Sequence, residues 1–281
     1  MTIRSTLSKA KKRCVQHDLP ESYAKYILNE LFLKQNRNLY DELDTVLDEP
    51  TATLYESILV RLEHDEPLAY VMGEHYFYGY RFDVNPNVLI PRYETEELVL
   101  RVLMEIDEYF TRDDLTVLDI GTGSGAIACV LKKESPNLTV YASDISEEAL
   151  QQAKHNALSL EADVTFYQGD MGQPFVEKGI KADVIVCNPP YIPQDEEIQT
   201  SVKNFEPHVA LFGGEDGLYF YRKVLNDAQS ILKDYAIIAF EMGWNQKENL
   251  SKEVLKVFPE ARIEGFKDMQ GKDRILVVRL G

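Results

Sequence analysis

Hydrophobic positions change their period twice along this chain. Over the first 72 residues they recur three or four apart, at Tyr23, Ile27, Leu28 and Leu31 and again at Leu54, Ile58 and Leu62, which is the spacing of one helix face. Pro20, Pro50 and Pro67 punctuate these segments, and Pro20-Glu21-Ser22 suits a helix start. Residues 1–72 are therefore predicted to be a small helical bundle. The acidic run Asp41, Glu42, Asp44, Asp48, Glu49 is expected to be a solvated face rather than a site. Residues 73–90 are dense in aromatics around one glycine, from His75 through Phe77, Gly79 and Tyr80 to Phe82. They predict a β-hairpin linker whose rings pack between domains.

Residues 91–281 alternate between two patterns. Short apolar runs at 117–120, 138–142, 164–167, 184–187 and 235–240 read as strands, and 261–266 with 275–279 as a closing antiparallel pair. Between them, helical spacing appears through Leu98 and Val102, at Ile127, Val130 and Leu131, and from 218 to 232. The acids of Glu94-Thr95-Glu96 are explained by the N-terminal dipole of the helix they open. Strands that alternate with helices imply an α/β domain with a mostly parallel sheet and its ligands at the carboxyl edge.

Two segments carry chemistry to that edge. The first strand runs into Gly121-Thr122-Gly123-Ser124-Gly125 and then a helix, a crossover in which glycines permit close approach and the helix N-terminus is expected to offer free N–H groups. Asp144 closes the next strand about 20 residues past the glycines, where an acid can accept from both ribose hydroxyls. Asp170, after the third strand, can accept from an adenine amino group, with Met171 packed on the ring. The fourth strand ends at Asn188-Pro189-Pro190-Tyr191. A residue before proline is held extended, so the Asn188 side-chain oxygen and the Pro189 carbonyl can converge on one NH2 group while Tyr191 supplies a flat wall. Two acceptors gripping its hydrogens localise the nitrogen lone pair for attack. S-adenosylmethionine fits this arrangement, with an adenosine for the acids and an electrophilic methyl for Asn188. The glycine turn also reads as G-x-G-x-x-A through Ala126, which keeps a nicotinamide dehydrogenase as the alternative, although nothing downstream supplies a hydride-transfer constellation. A module that binds the cofactor and only docks a partner is a third reading. No general base is demanded, because the nitrogen becomes acidic only during transfer. Glu206 and His208 are candidates for one, set against an ordinary surface loop.

Composition narrows the partners. A net charge of −17 repels phosphate backbones and argues against a nucleic-acid substrate, which matters because similar Asn-Pro-Pro-Tyr loops occur in adenine-N6 DNA methyltransferases. The basic residues Arg4, Lys9, Lys11, Lys12 and Arg13 precede no apolar signal segment, and no run is long enough to span a bilayer, so a soluble cytoplasmic protein without membrane contact is expected. Cys14, Cys129 and Cys187 are an odd, widely spaced set, expected to be reduced, and the five histidines lack zinc-ligand spacing, so no metal is expected.

These residues together resemble the HemK/PrmC family, which N5-methylates a glutamine in peptide chain release factors. The resemblance covers nearly the whole chain: Gly73 through Phe77, Gly79 and Phe82 to Val88-Leu89-Ile90-Pro91-Arg92, Glu94-Thr95-Glu96, the glycine turn, Asp144, Asn188 to Tyr191, Glu206-Pro207, Ala210-Leu211, and Glu241, Gly243 and Gln246. Tyr93 stands where relatives often have a second proline, and Met171 where an aromatic is frequent. The resemblance implies a Rossmann-like class I methyltransferase domain with a seven-stranded sheet over residues 91–281. It implies that Gly121 to Gly125, Asp144, Met171 and Asn188 contact S-adenosylmethionine. It also implies that Asn188, Pro189, Pro190 and Tyr191 hold the amide of the glutamine in a Gly-Gly-Gln loop, and that the helical domain helps hold the release factor.

Overall fold

The computed structural model describes residues 1–281, which divide into two compact units. The smaller comprises Met1–Gly73 together with Gln199–Phe205. Its helices are α1 (Ile3–Gln16), α2 (Ser22–Lys34), α3 (Glu49–Glu63) and α4 (Leu68–Met72). Where the sequence reading saw only basic charge, α1 is amphipathic. Ile3, Leu7, Ala10 and Cys14 are buried along one side, and the Thr2 side chain caps the helix by accepting from the Ser5 N–H at 3.3 Å. The apolar stripe of α3 lies one residue round from the expected one. Tyr55, Ile58, Leu59 and Leu62 are buried and Leu54 is exposed, because the Tyr55 hydroxyl finds the Ala24 carbonyl of α2 at 2.7 Å and can go inside. The acidic run is not a bare solvated face. Glu42 and Asp48 hold Arg37 at 3.0 and 2.7 Å, Asp44 holds Arg4 at 2.9 Å, and Asp48 caps α3 through the Thr51 N–H at 3.0 Å.

The larger unit comprises Glu74–Ile198 and Glu206–Gly281. It opens with the hairpin β1 (Glu74–Phe77) and β2 (Tyr80–Asp83), turned by Tyr78 and Gly79 at φ 52° and 78°, the left-handed pair that a two-residue hairpin loop requires. The Glu96 carboxylate fixes this turn by accepting the Tyr78 N–H at 2.7 Å. Phe77 and Phe82 are buried with Leu98, Val99 and Val102 in the core of this unit, with which the hairpin groups. Then follow α5 (Tyr93–Tyr109), β3 (Thr116–Ile120), α6 (Ala126–Glu134), β4 (Thr139–Asp144), α7 (Glu147–Ser159), β5 (Val164–Gln168), α8 (Gln173–Lys178) and β6 (Ala182–Cys187). The helical turn α9 (Thr200–Phe205) groups with the smaller unit, and α10 (Tyr219–Ile231), β7 (Leu232–Glu241), α11 (Lys247–Val257), β8 (Arg262–Lys267) and β9 (Asp273–Leu280) complete the chain.

Seven strands form one sheet in the order β5-β4-β3-β6-β7-β9-β8, parallel except for β9, which runs antiparallel to β7 and β8. Alternation sorts the side chains: Val117, Val184 and Val186 enter one core layer, and Leu118, Ile120, Ile185 and Cys187 the other. All of β6 is buried, as expected of a central parallel strand. The strand order reverses between β4-β3 and β6-β7, and a crevice opens at the carboxyl ends there. The fold is thus Rossmann-like.

Candidate active site

The crevice is lined by Gly121 and Gly123 after β3, Asp144 at the end of β4, Asp170 and Met171 after β5, and Asn188 and Pro190 after β6. Residues 87–89, Pro207, Val209 and Ala210 line it too. No lysine or arginine does.

The glycine turn is pulled toward β4. The N–H groups of Gly121 and Thr122 donate to the Ser143 carbonyl at 2.9 Å each, and the Gly123 N–H donates to Asp144 Oδ2 at 2.8 Å. The Gly125 N–H closes on the Thr122 carbonyl at 2.9 Å. These donors, expected to be free for a ligand, are satisfied within the protein. Thr122, Ser124 and Gly125 are not among the residues that line the crevice, and they shape the bend. Thr122 Oγ1 donates to Asp119 Oδ2 at 2.6 Å, and the Ser124 carbonyl accepts from Asn156 Nδ2 at 2.9 Å. Gly125 sits at φ 81°, where a Cβ would lie 3.1 Å from that of Ala153 on α7.

Asp119 lies under this turn, a residue to which the sequence pattern assigns no role. It is fully buried, its Oδ2 also accepts the Ala128 N–H at 3.1 Å, and its Oδ1 has no partner. Burial pushes its carboxyl up to about 7, with the nearby Asp144 charge adding to the rise. Burial likewise raises Asp144, opposed by the N–H groups of Ser146 and Gly123. An acid inside an otherwise apolar strand was itself the available signal. Asp144 lines the crevice with its oxygens taken by only the Gly123 and Ser146 N–H groups, and with no lysine or arginine in the lining the site suits a cationic ligand with hydroxyl groups. S-adenosylmethionine has that chemistry.

Asp170 lines the crevice but is also ion-paired with Lys223 of α10. Met171, at φ 50°, both lines the crevice and joins the core with Phe175, and its carbonyl accepts from Ser143 Oγ at 2.8 Å.

Asn188 and Tyr191 are held by residues far away in sequence. Asn188 Nδ2 donates to Thr95 Oγ1 at 3.2 Å, and Thr95 Oγ1 donates to Glu241 Oε2 at 2.6 Å. The Tyr191 hydroxyl donates to the other oxygen of Glu241 at 3.3 Å, and the Tyr221 hydroxyl to the Glu241 carbonyl at 2.7 Å. Burial raises Glu241 above the ordinary carboxylate range, while the Thr95 hydrogen bond and the Arg274 charge pull it down. Behind the loop, Gln246 Nε2 donates to the carbonyls of Tyr191 and Gly217 at 2.9 and 3.3 Å, and Gln246 Oε1 accepts the Gly243 N–H at 2.9 Å. Thr95 was read only as part of a helix start; its role comes from a contact no local pattern encodes. Glu206 is neither a surface-loop acid nor free to act as a base. Its side chain is 1% exposed, paired with Arg92 and accepting the Ile90 N–H at 3.3 Å. His208 lies in a short helical turn with its ring against Phe212.

No group of three or more His, Cys, Asp or Glu is arranged to hold a metal, and the three cysteines are buried free thiols. No helix is long and apolar enough to cross a membrane.

Comparison with known proteins places this geometry in context. The family described as "Methyltransferase domain" matches residues 111–273, and that described as "PrmC N-terminal domain" matches residues 5–73. A release factor glutamine methyltransferase of Bacillus cereus is 44% identical over 252 residues, covering 88% of this chain and 89% of the relative. One of Bacillus anthracis is 47% identical over 216 residues, 76% of each. Among solved structures, the hMettl16 catalytic domain in complex with a MAT2A 3′UTR hairpin superposes with a TM-score of 0.56 at 16% identity, over 86% of this chain and 84% of that one. The Thermus thermophilus 16S rRNA N2 G1207 methyltransferase in complex with AdoMet and guanosine gives 0.55 at 15% identity, over 74% and 50%. At these identities the structural likeness speaks for the fold alone.

Proposed function

Because the chain belongs to the family of release factor glutamine methyltransferases, we propose that it transfers a methyl group from S-adenosylmethionine to the side-chain amide nitrogen (N5) of the glutamine in the Gly-Gly-Gln motif of peptide chain release factors, in support of translation termination. The observation that carries the reading is the meeting of Gly121, Gly123, Asp144 and Asn188 in one crevice without a basic side chain. A nicotinamide dinucleotide would bring a pyrophosphate to a turn where the N–H groups of Gly121, Thr122, Gly123 and Gly125 are already bonded and where Asp144 stands alongside, so the donor without phosphates is the better fit.

In this reading Asp144 accepts from the ribose, and Asp170 with Met171 receives the adenine. Bound there, S-adenosylmethionine supplies a sulfonium-activated methyl carbon. Asn188 Oδ1 and the Pro189 carbonyl grip the two hydrogens of the glutamine NH2, with Pro190 and Tyr191 beside the amide plane. The amide nitrogen forms the new N–C bond as the S–C bond breaks, S-adenosylhomocysteine leaves, and the nitrogen proton passes to an acceptor or to water. Positioning and exclusion of water supply most of the acceleration. The helical unit contributes binding energy for the folded release factor, distant from the reacting amide.

The test is mass spectrometry of release factors incubated with the protein and labelled donor. One labelled methyl on the Gly-Gly-Gln glutamine is the expected result. Label on adenine of DNA, or on no release factor, would overturn it.

A further inference from the structure

We infer that Thr95 and Glu241 are positioning residues that dictate which way the Asn188 amide faces, an inference resting on the reading of Asn188 as the acceptor that grips the target NH2. The need for such a device is chemical. The oxygen and NH2 ends of an asparagine amide have nearly the same shape, so the pocket walls alone do not choose between them. Turned over, Asn188 would point N–H groups at the N–H groups of its substrate and accept nothing.

The hydrogen-bond chain removes that freedom. As a carboxylate, Glu241 can only accept, and it is buried to 1% exposure beyond the reach of bulk water. Its 2.6 Å contact with Thr95 therefore requires the threonine hydroxyl to be the donor. A hydroxyl has one proton. With that proton committed to Glu241, Thr95 Oγ1 can only accept from Asn188 at 3.2 Å, so the NH2 end of Asn188 faces Thr95 and its Oδ1 is left for the substrate. The second oxygen of Glu241 accepts the Tyr191 hydroxyl at 3.3 Å, so one carboxylate governs both ends of the Asn188–Tyr191 loop. Thr95 comes from the first turn of α5 and Glu241 from the last residue of β7. Two rigid elements thus aim a side chain that sits on a loop.

Thr95→Val keeps the shape and removes the hydroxyl. With a release factor as substrate, kcat should fall about 10-fold, the worth of one lost orienting hydrogen bond, while KM and donor affinity stay within about 2-fold. Thr95→Ser should recover kcat to within about 3-fold of the native protein, since it restores the hydroxyl with less packing. Native kcat in Thr95→Val, or equal loss in Thr95→Val and Thr95→Ser, would overturn the inference; the second result would mean that shape rather than the hydroxyl matters. Should Thr95→Val not fold, Glu241→Gln serves instead, because it retains only one of the two acceptor positions and should lower kcat with thermal stability checked in parallel. An arm without substrate separates this inference from the functional reading. In the native protein, NMR should show nuclear Overhauser contacts from the Asn188 side-chain NH2 protons to Thr95. Their absence sinks the relay whatever the protein methylates, and their presence alongside an inactive enzyme sinks only the substrate assignment.

Discussion

At the scale of single residues, substitutions at Asn188 and at the acids beside the glycine turn test the proposed chemistry and the proposed cofactor binding separately. Under the proposed function Asn188→Ala removes an acceptor that gains strength as the transition state forms, so kcat should fall at least about 100-fold, or about 2.7 kcal/mol, in a steady-state assay with a release factor. Donor affinity should change less. Asp144→Ala should weaken S-adenosylmethionine binding by about 1.5–3 kcal/mol in calorimetry, through lost hydrogen bonds to a charged group and release of Gly123 and Ser146 from the turn. Asp119 makes a different prediction. Its folded value of about 7 lies above the ordinary 3.8, so the folded state holds a proton that the unfolded chain has lost in between. Its contribution is then fully present below pH 3.8 and is lost as pH rises toward 7. The melting temperature of the native protein relative to Asp119→Asn should accordingly decline between about pH 4 and 7, as scanning calorimetry of the pair would show. A constant difference across that window would mean that Asp119 is not protonated in the fold.

At the scale of elements, the Asn188–Tyr191 loop is held by a second loop as firmly as by the strand it follows. Gly213 and Gly217 lie against it so closely that a Cβ would stand 2.5 Å from the Pro190 carbonyl oxygen in the first case and 2.3 Å from the Tyr191 carbonyl oxygen in the second. Gly217 also sits at φ 71°, a conformation costly for any other residue. Gly217→Ala should lower kcat by about 10-fold or more by displacing Tyr191, with donor affinity nearly unchanged because the β3 and β4 ends are untouched. Parallel loss of donor binding, measured by calorimetry, would show that the two halves of the crevice are not independent. The ion pair of Arg92 with Glu206 has a similar bracing role, tying the entry to α5 to the residue that follows α9 in the long segment after β6.

At the scale of the molecule, the chain folds as two units, and the smaller one includes Gln199–Phe205 from the segment that follows the candidate catalytic loop. Deleting residues 1–72 leaves this excursion without the unit it groups with, while the sheet and its crevice residues remain. Donor binding should survive the deletion. On a whole release factor kcat/KM should fall about 10-fold further than on a short Gly-Gly-Gln peptide, because binding energy remote from the amide is what is lost. Added salt should have only a modest effect on either reaction, as befits a protein with a net charge of −17 and no phosphate backbone to grip. Equal kcat/KM of truncated and intact protein on the release factor would remove the helical unit from substrate recognition.

Local pattern carried the alternation of strands and helices, the glycine turn, Asp144 and the Asn-Pro-Pro-Tyr segment at a strand mouth. Each depends on residues close in the chain, through a period of two or 3.6, a positive φ or a restricted bond before proline. Local pattern marks α1 poorly, because its buried positions are spaced among lysines and arginines. It could not find the partners of polar groups. Thr95 meets Glu241 across 146 residues and Arg92 meets Glu206 across 114, and a threonine or a glutamate looks the same in sequence whether solvated or committed. Nor could it tell that the N–H groups of Gly121, Thr122 and Gly123 would be satisfied by Ser143 and Asp144, since that depends on the register of β3 against β4. Sequence by itself determined the strands of the sheet, several of its helices and the residue types that stand at the strand ends. Tertiary structure alone decided which donors and acceptors remain free for a ligand, because a hydrogen bond is a property of two groups brought together and not of either one.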